Sequence, residues 1–158
     1  TDALDYTFST QGIENPKLQD QLLQAYYQLD CYPEVPKTLK SLKDLGYGTG
    51  ILSNGSPEML SSGVKNSQLE DLLDSVLSVE DVGVFKPDPR VYQLAVERLK
   101  TEAGKILFFS SNTWDVCGSS NFGFQTIWIN RFGQEQERLP GRYLFEIQRL
   151  DEVFEQIE

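Results

Sequence analysis

Three short polar stretches hold the residue types that could do chemistry. Ser53-Asn54 closes the apolar run Tyr47 to Leu52, Lys86 stands in Phe85-Lys86-Pro87-Asp88, and Ser110-Ser111-Asn112-Thr113-Trp114-Asp115 follows the apolar run Ile106 to Phe109. The chain has no histidine. That excludes Ser-His-Asp and Cys-His catalysis, and zinc sites built on His. What remains is a cation, a carboxylate and neutral donors. Lys86 can act as a fixed positive charge that holds two carboxylates, one from a substrate and one from the protein. It can also be a surface lysine before a proline-initiated helix. Asp115 can be a general base poised over a water, or an acid that supports the first turn of the next helix. Ser53 and Asn54 sit where a small anionic substrate would be held. Their plainer reading is a strand-to-helix turn with Ser56 as N-cap and Pro57 at the first helical position. Trp114 packs in the core or walls a ligand, and Tyr92, six residues after Lys86, is a core or a catalytic residue. Cys117 reads as a buried small residue.

The elements that must position these residues alternate. Residues 1–12 are weakly helical, and Asn15-Pro16 starts a second helix that runs to about Asp30, with Leu18, Leu22, Leu23, Tyr26 and Leu29 at helical spacing. Cys31-Tyr32-Pro33 is a hinge, because proline disfavours helix in the residue before it. From there the pattern predicts helices over Val35 to Leu45, Pro57 to Val64, Pro89 to Leu99, Thr113 to Asn121 and Leu150 to Ile157. It predicts strands over Tyr47 to Leu52, Val76 to Val79, Ile106 to Phe109 and Thr126 to Ile129. Such alternation means βα units and a mostly parallel sheet. In a parallel sheet, loops that follow strands share one edge, where ligands bind. The three polar stretches therefore converge on one crevice. Residues 133–142 are polar, with Pro and Gly, and read as an exposed loop.

Composition narrows the partners. The chain has 158 residues, enough for one domain with a real core, and its net charge is −10. That charge argues against nucleic acid and against an anionic membrane surface. It also means that an anionic substrate must be drawn in by local groups. No apolar run approaches the roughly 20 residues of a membrane span, and the opening Thr1 to Asp5 is acidic and amphipathic, unlike a signal peptide. Two cysteines, Cys31 and Cys117, suit a reducing cytoplasm.

Four stretches in order carry a family resemblance: Ile-Leu-Ser-Asn-Gly-Ser-Pro, Leu-Ser-Val with Phe-Lys-Pro-Asp-Pro-Arg-Val-Tyr, Ile-Leu-Phe-Phe-Ser-Ser-Asn-Thr-Trp-Asp, and Phe-Gly-Phe-Gln-Thr-Ile-Trp-Ile-Asn-Arg. Together they resemble the type II L-2-haloacid dehalogenases of the haloacid dehalogenase superfamily. The resemblance implies a Rossmann-like α/β/α three-layer fold on a parallel sheet, with the remnant of a helical cap at the start. It implies displacement of halide from C2 of a short haloacid by a carboxylate nucleophile, then hydrolysis of the ester to a 2-hydroxy acid. By the same resemblance, Ser53 binds the substrate carboxylate, Asn54 cradles the halide and Lys86 charge-balances the nucleophile. Tyr92 lines the site, Ser110 and Asn112 position the water or the nucleophile, Trp114 is an apolar wall, and Asp115 is the base for the water. No cofactor is implied. Ser111 stands where phosphatase cousins carry a magnesium-binding Asp, and a hydroxyl there takes away a charged oxygen ligand.

The family's first stretch, a strand ending in the nucleophilic Asp, has no counterpart here. The resemblance therefore divides the chain into cap helices over 1–31 and a core over 32–158 that lacks its central strand, the one between the strands at Tyr47 to Leu52 and Ile106 to Phe109. The chain by itself is then expected to be an inactive fragment. A magnesium-dependent phosphatase and a non-catalytic binding fragment are the alternatives, and a homodimer is compatible with the two leading helices.

Overall fold

Short apolar strands separated by amphipathic helices set the architecture, and the computed structural model describes it for residues 2–156. Two helices come first, α1 (Asp2–Thr10) and α2 (Pro16–Ala25). The Asn15 side chain caps α2 by accepting from Leu18 N at 3.0 Å, with Pro16 in the first turn. Then follow α3 (Val35–Asp44), β1 (Gly50–Ser53), α4 (Pro57–Asn66), β2 (Ser75–Ser78) and α5 (Pro89–Leu99). The chain closes with β3 (Leu107–Ser110), α6 (Thr113–Phe122), β4 (Gln125–Ile129), β5 (Phe145–Ile147) and a 3-10 segment, Leu150–Glu155.

All strand pairing among the described residues is parallel. β1 pairs with β2 from Gly50–Ser75 to Ser53–Ser78. β3 pairs with β4 from Leu107–Gln125 to Ser110–Trp128, and β4 with β5 from Ile127–Phe145 to Ile129–Ile147. Alternation along β3 builds a core on each face. Ile106 and Phe108 pack with Tyr92, Leu94, Ala95 and Phe124, under α5. Leu107 and Phe109 pack with Ile127, Ile147 and Val153, under the closing 3-10 segment. The outcome is the expected layered α/β fold.

The strands form two sheets, β1–β2 and β3–β4–β5, and among the described residues nothing pairs with the second edge of β1 or of β3. A cavity of about 390 Å³ lies there, lined by Gly50, Ile51 and Leu52 from one side and by Leu107, Phe108 and Phe109 from the other. This slot explains why β3, at the heart of the fold, is only half-buried along its length.

Several boundaries move from the sequence expectation for identifiable reasons. α2 stops at Ala25 and tightens into a 3-10 turn, Tyr26–Gln28, before Leu29 turns extended. Tyr47 to Thr49 precede the first strand rather than belong to it. Thr49 is held by the Asp74 side chain (N to Oδ2, 2.8 Å) ahead of the point where β2 begins to pair. β2 starts one residue early and Val79 leaves it, because Ser78 Oγ accepts from Glu80 N and opens a 3-10 turn. β3 lies one residue later than predicted, Ile106 closing the turn Ala103–Lys105. β5 was not predicted. The closing helix is 3-10 rather than α, and its predicted end at Ile157 lies outside the described residues, as does Thr1.

Candidate active site

Three strands end in serine: Ser53 on β1, Ser78 on β2 and Ser110 on β3. In a parallel sheet these ends share one edge. Ser78 Oγ donates to Gly55 O at 2.8 Å, and Ser53 Oγ accepts from Gly55 N at 3.0 Å, which fixes the Ser-Asn-Gly loop after β1. Asn54 Oδ1 accepts from Lys86 N at 2.9 Å, so the first loop holds the second. The third is reached by the Lys86 side chain. Its Nζ donates to Leu52 O at 3.1 Å and to Asp115 Oδ2 at 2.6 Å, and lies 5.3 Å from the centre of the Phe108 ring.

Asp115 is the hub. It sits in the first turn of α6, and only 2% of it is exposed. Besides Lys86, its Oδ2 accepts from Ser110 Oγ at 3.0 Å, while its Oδ1 accepts from Tyr92 OH at 2.8 Å. A carboxylate has room for about four donors, so these three leave capacity for one more. Tyr92 is fully buried, and burial, followed by the charge and hydrogen bond of Asp115, pushes its phenol far above the usual tyrosine range. It is a permanent hydrogen-bond donor to Asp115.

The other predicted site residues are placed less centrally. Ser110 Oγ also accepts from Asn112 N at 3.2 Å, which ties the backbone of Asn112 to the cluster, while the residue itself is exposed on the rim. Trp114 takes no part in the Asp115 hydrogen bonds. It lines a groove with Pro87, Gly118 and Pro140. Sequence reasoning missed Ser78 and Phe108, although the repeated apolar strand ending in serine was a readable signal for the first. Burial, then the nearby Glu137, pushes the Cys117 thiol up, which suits a packing residue better than a nucleophile.

The loop 133–142 is largely exposed, as expected, and is anchored along α6. Glu137 accepts from Thr113 Oγ1, Asn121 Nδ2 donates to Pro140 O at 2.8 Å, and Arg142 N donates to Ser120 Oγ at 3.1 Å. It straps the helix that carries Asp115.

Residues 3–123 match the haloacid dehalogenase-like hydrolase family. The chain is 45% identical over 137 residues to (S)-2-haloacid dehalogenase 4A of Burkholderia cepacia, covering 86% of this chain and 59% of that protein. It is 41% identical over 158 residues to the (S)-2-haloacid dehalogenase of Pseudomonas sp. strain YL, covering 99% and 68%. The structure of L-2-haloacid dehalogenase from Xanthobacter autotrophicus with chloropropionic acid covalently bound superposes with a TM-score of 0.88 at 32% identity, over 99% of this chain and 73% of that one. The chain thus spans from about three fifths to three quarters of the length of these relatives. With that match over most of its residues, the chain belongs to the haloacid dehalogenase-like hydrolases.

Proposed function

We propose that this chain is the larger part of a hydrolase that converts short L-2-haloacids to 2-hydroxy acids without a metal ion. The observation that carries the reading is the Asp115 cluster: one buried carboxylate held by one lysine and two hydroxyls, at the edge where three strand-end loops meet. Residues 1–31 would belong to a cap and residues from 32 onward to the core. A further strand, bearing the nucleophilic carboxylate, would enter the slot between β1 and β3. The unpaired edges and the cavity between them support this, as does the share of the relatives' length that the chain spans.

In the first step a carboxylate oxygen of that strand attacks C2 of the haloacid. The carbon–halogen bond breaks, halide leaves with the electron pair, and C2 inverts. In the second step a water attacks the ester carbonyl. Asp115 takes one of the water's protons, and the bond from the acyl carbon to the ester oxygen breaks. The departing alkoxide takes the water's other proton and leaves as the hydroxy acid, the nucleophilic carboxylate is restored, and Asp115 returns its proton to solvent. Ser53 would bind the substrate carboxylate and Asn54 the departing halide. Lys86 would balance the nucleophile's charge, Ser110 and Asn112 would orient the water, Tyr92 would hold Asp115, and Trp114 would wall the substrate.

The donor set fits a metal-free route. Asp115 is already paired with Lys86, and Ser111 supplies a hydroxyl where a cation would need a further charged oxygen. A single substrate carboxylate asks for less charge neutralisation than a phosphoryl group, which relies on metal. A cytoplasmic homodimer completes the reading: both cysteines are free, and Tyr6, Leu18, Leu22 and Tyr26 expose apolar surface on the leading helices. No helix among the described residues is long and apolar enough to cross a membrane.

The test is halide release from L-2-chloropropionate by the full-length protein, with and without EDTA, beside the isolated 158-residue chain. Release that survives EDTA and is absent from the isolated chain is the expected result. Activity abolished by EDTA, or full activity of the isolated chain, defeats the reading. Asp115→Asn should halt turnover with the ester in place, seen as a mass increase of the intact protein. Parental turnover by that variant would remove Asp115 as the base.

A further inference from the structure

A glycine in the middle of a helix destabilises it relative to alanine, and Gly118 lies in the middle of α6, the helix that carries Asp115. A methyl group at this position would lie 2.6 Å from the Tyr92 hydroxyl oxygen and 2.7 Å from Pro87 Cβ, both well inside van der Waals contact. The phenol cannot step aside. Its ring stands edge-on to Phe108 at 6.1 Å and to Phe124 at 5.7 Å, and is tilted against Phe122 at 5.7 Å. Pro87 is covalently bonded to Lys86, so the same methyl presses on the residue that delivers Nζ to Asp115. Gly63, in the middle of α4, is the internal contrast: a Cβ there meets nothing within 4 Å.

We propose that Gly118 is a positioning residue, whose missing side chain lets α5 and α6 approach closely enough for Tyr92 and Lys86 to reach Asp115 together. Two of the cluster's three donors come from one segment, Lys86 to Tyr92, and the hub from another helix. The spacing between those helices therefore sets the 2.8 Å and 2.6 Å bonds at once. A methyl at 118 changes that spacing while adding no polar group. This rests on the cluster being the reactive site proposed above.

The experiment is a double-mutant cycle in the full-length protein, read by kcat, KM and melting temperature. Gly118→Ala should lower kcat roughly 10²-fold, the scale of a small misplacement of reacting groups, with KM for L-2-chloropropionate within about twofold. Gly63→Ala should leave kcat unchanged and the melting temperature level or raised. In the Tyr92→Phe background, which removes the collision with the hydroxyl and leaves the one with Pro87, Gly118→Ala should lower the melting temperature and kcat less than it does alone, the non-additivity of groups in contact. Equal losses in both backgrounds, a parental kcat for Gly118→Ala, or a loss confined to KM would overturn the proposal. If Gly118→Ala alone is insoluble, a soluble double variant supports it and an insoluble one overturns it. Tyr92→Phe by itself separates the two ideas. Parental kcat there would defeat the site reading, while the melting cycle still decides the role of Gly118.

Discussion

Two buried ion pairs in this molecule look alike and are built for different work. Lys86–Asp115 spans 2.6 Å, with side chains 9% and 3% exposed, and Arg131–Glu34 spans 2.5 Å, with side chains 14% and 3% exposed. Each cation also lies against an aromatic ring, Lys86 by Phe108 and Arg131 over Tyr32 at 3.6 Å. The difference is in what else the carboxylate holds. Glu34 takes a guanidinium and the backbone N–H of Leu150 at 3.4 Å, donors that can never accept a proton. Asp115 takes an ammonium and two hydroxyls, from Lys86, Tyr92 and Ser110, where the loops after β1, β2 and β3 meet. The Glu34 pair joins the start of α3 to the segment after β4. Burial and charge alone therefore do not mark a reactive site; side chains from several loops that follow strands, gathered on one carboxylate, do.

The comparison breaks first at Lys86. Removing one partner of a buried pair leaves the other uncompensated, which costs about 3–5 kcal/mol. Lys86→Ala should lose that much in urea unfolding and lose several orders of magnitude in kcat. Adding Asp115→Asn should recover part of the stability and none of the activity. Arg131→Ala should lose a similar or slightly smaller stability, because Arg131 is more exposed, yet keep kcat within a few-fold of the parent. An equal collapse of activity in both variants would erase the distinction drawn here.

A pH titration sharpens it. Burial works to raise the Glu34 carboxyl, but its own backbone N–H, the Arg131 guanidinium and the Leu150 N–H outweigh this and hold it below the usual 4.5. A depressed carboxyl stabilises the fold above its unfolded value, and the gain is lost as pH falls through the folded value. The fall in melting temperature between about pH 5.5 and pH 3.5 should be smaller for Glu34→Gln than for the parent. An identical slope in both would show that the pair contributes nothing in acid.

The fold and the hub of the site were legible in the sequence because both rest on local pattern. Helix starts such as Asn15-Pro16 and Ser56-Pro57, and apolar runs that stop at a polar residue, report themselves within a few positions. Convergence of Ser53, Asn54, Lys86, Ser110 and Asp115 followed from one topological rule, that loops after parallel strands share an edge. What stayed hidden depends on distant partners. β5 is three residues long with one buried position, so it has no alternation to read. The Glu34–Arg131 pair joins residues 97 apart. The role of Gly118 is a distance between two helices, and a glycine in a helical pattern reads only as a weak point until the neighbouring side chain is seen.

The smallest effect tests the aromatic partners of the two cations. Tyr32 is 48% exposed, so the stacked Arg131 gains only the solvent-facing form of a cation–π contact, about 0.5–1 kcal/mol. Tyr32→Leu should cost no more than that in urea unfolding and leave kcat alone, because Glu34 still holds the guanidinium. Phe108→Leu touches the corresponding ring in the other pair, but Phe108 also walls Tyr92 at 6.1 Å and lines the slot. Its loss should therefore appear in kcat as well as in stability. If Phe108→Leu proves as silent in kcat as Tyr32→Leu, the ring under Lys86 is packing alone, and the contrast between the pairs rests entirely on the hydroxyls of Tyr92 and Ser110.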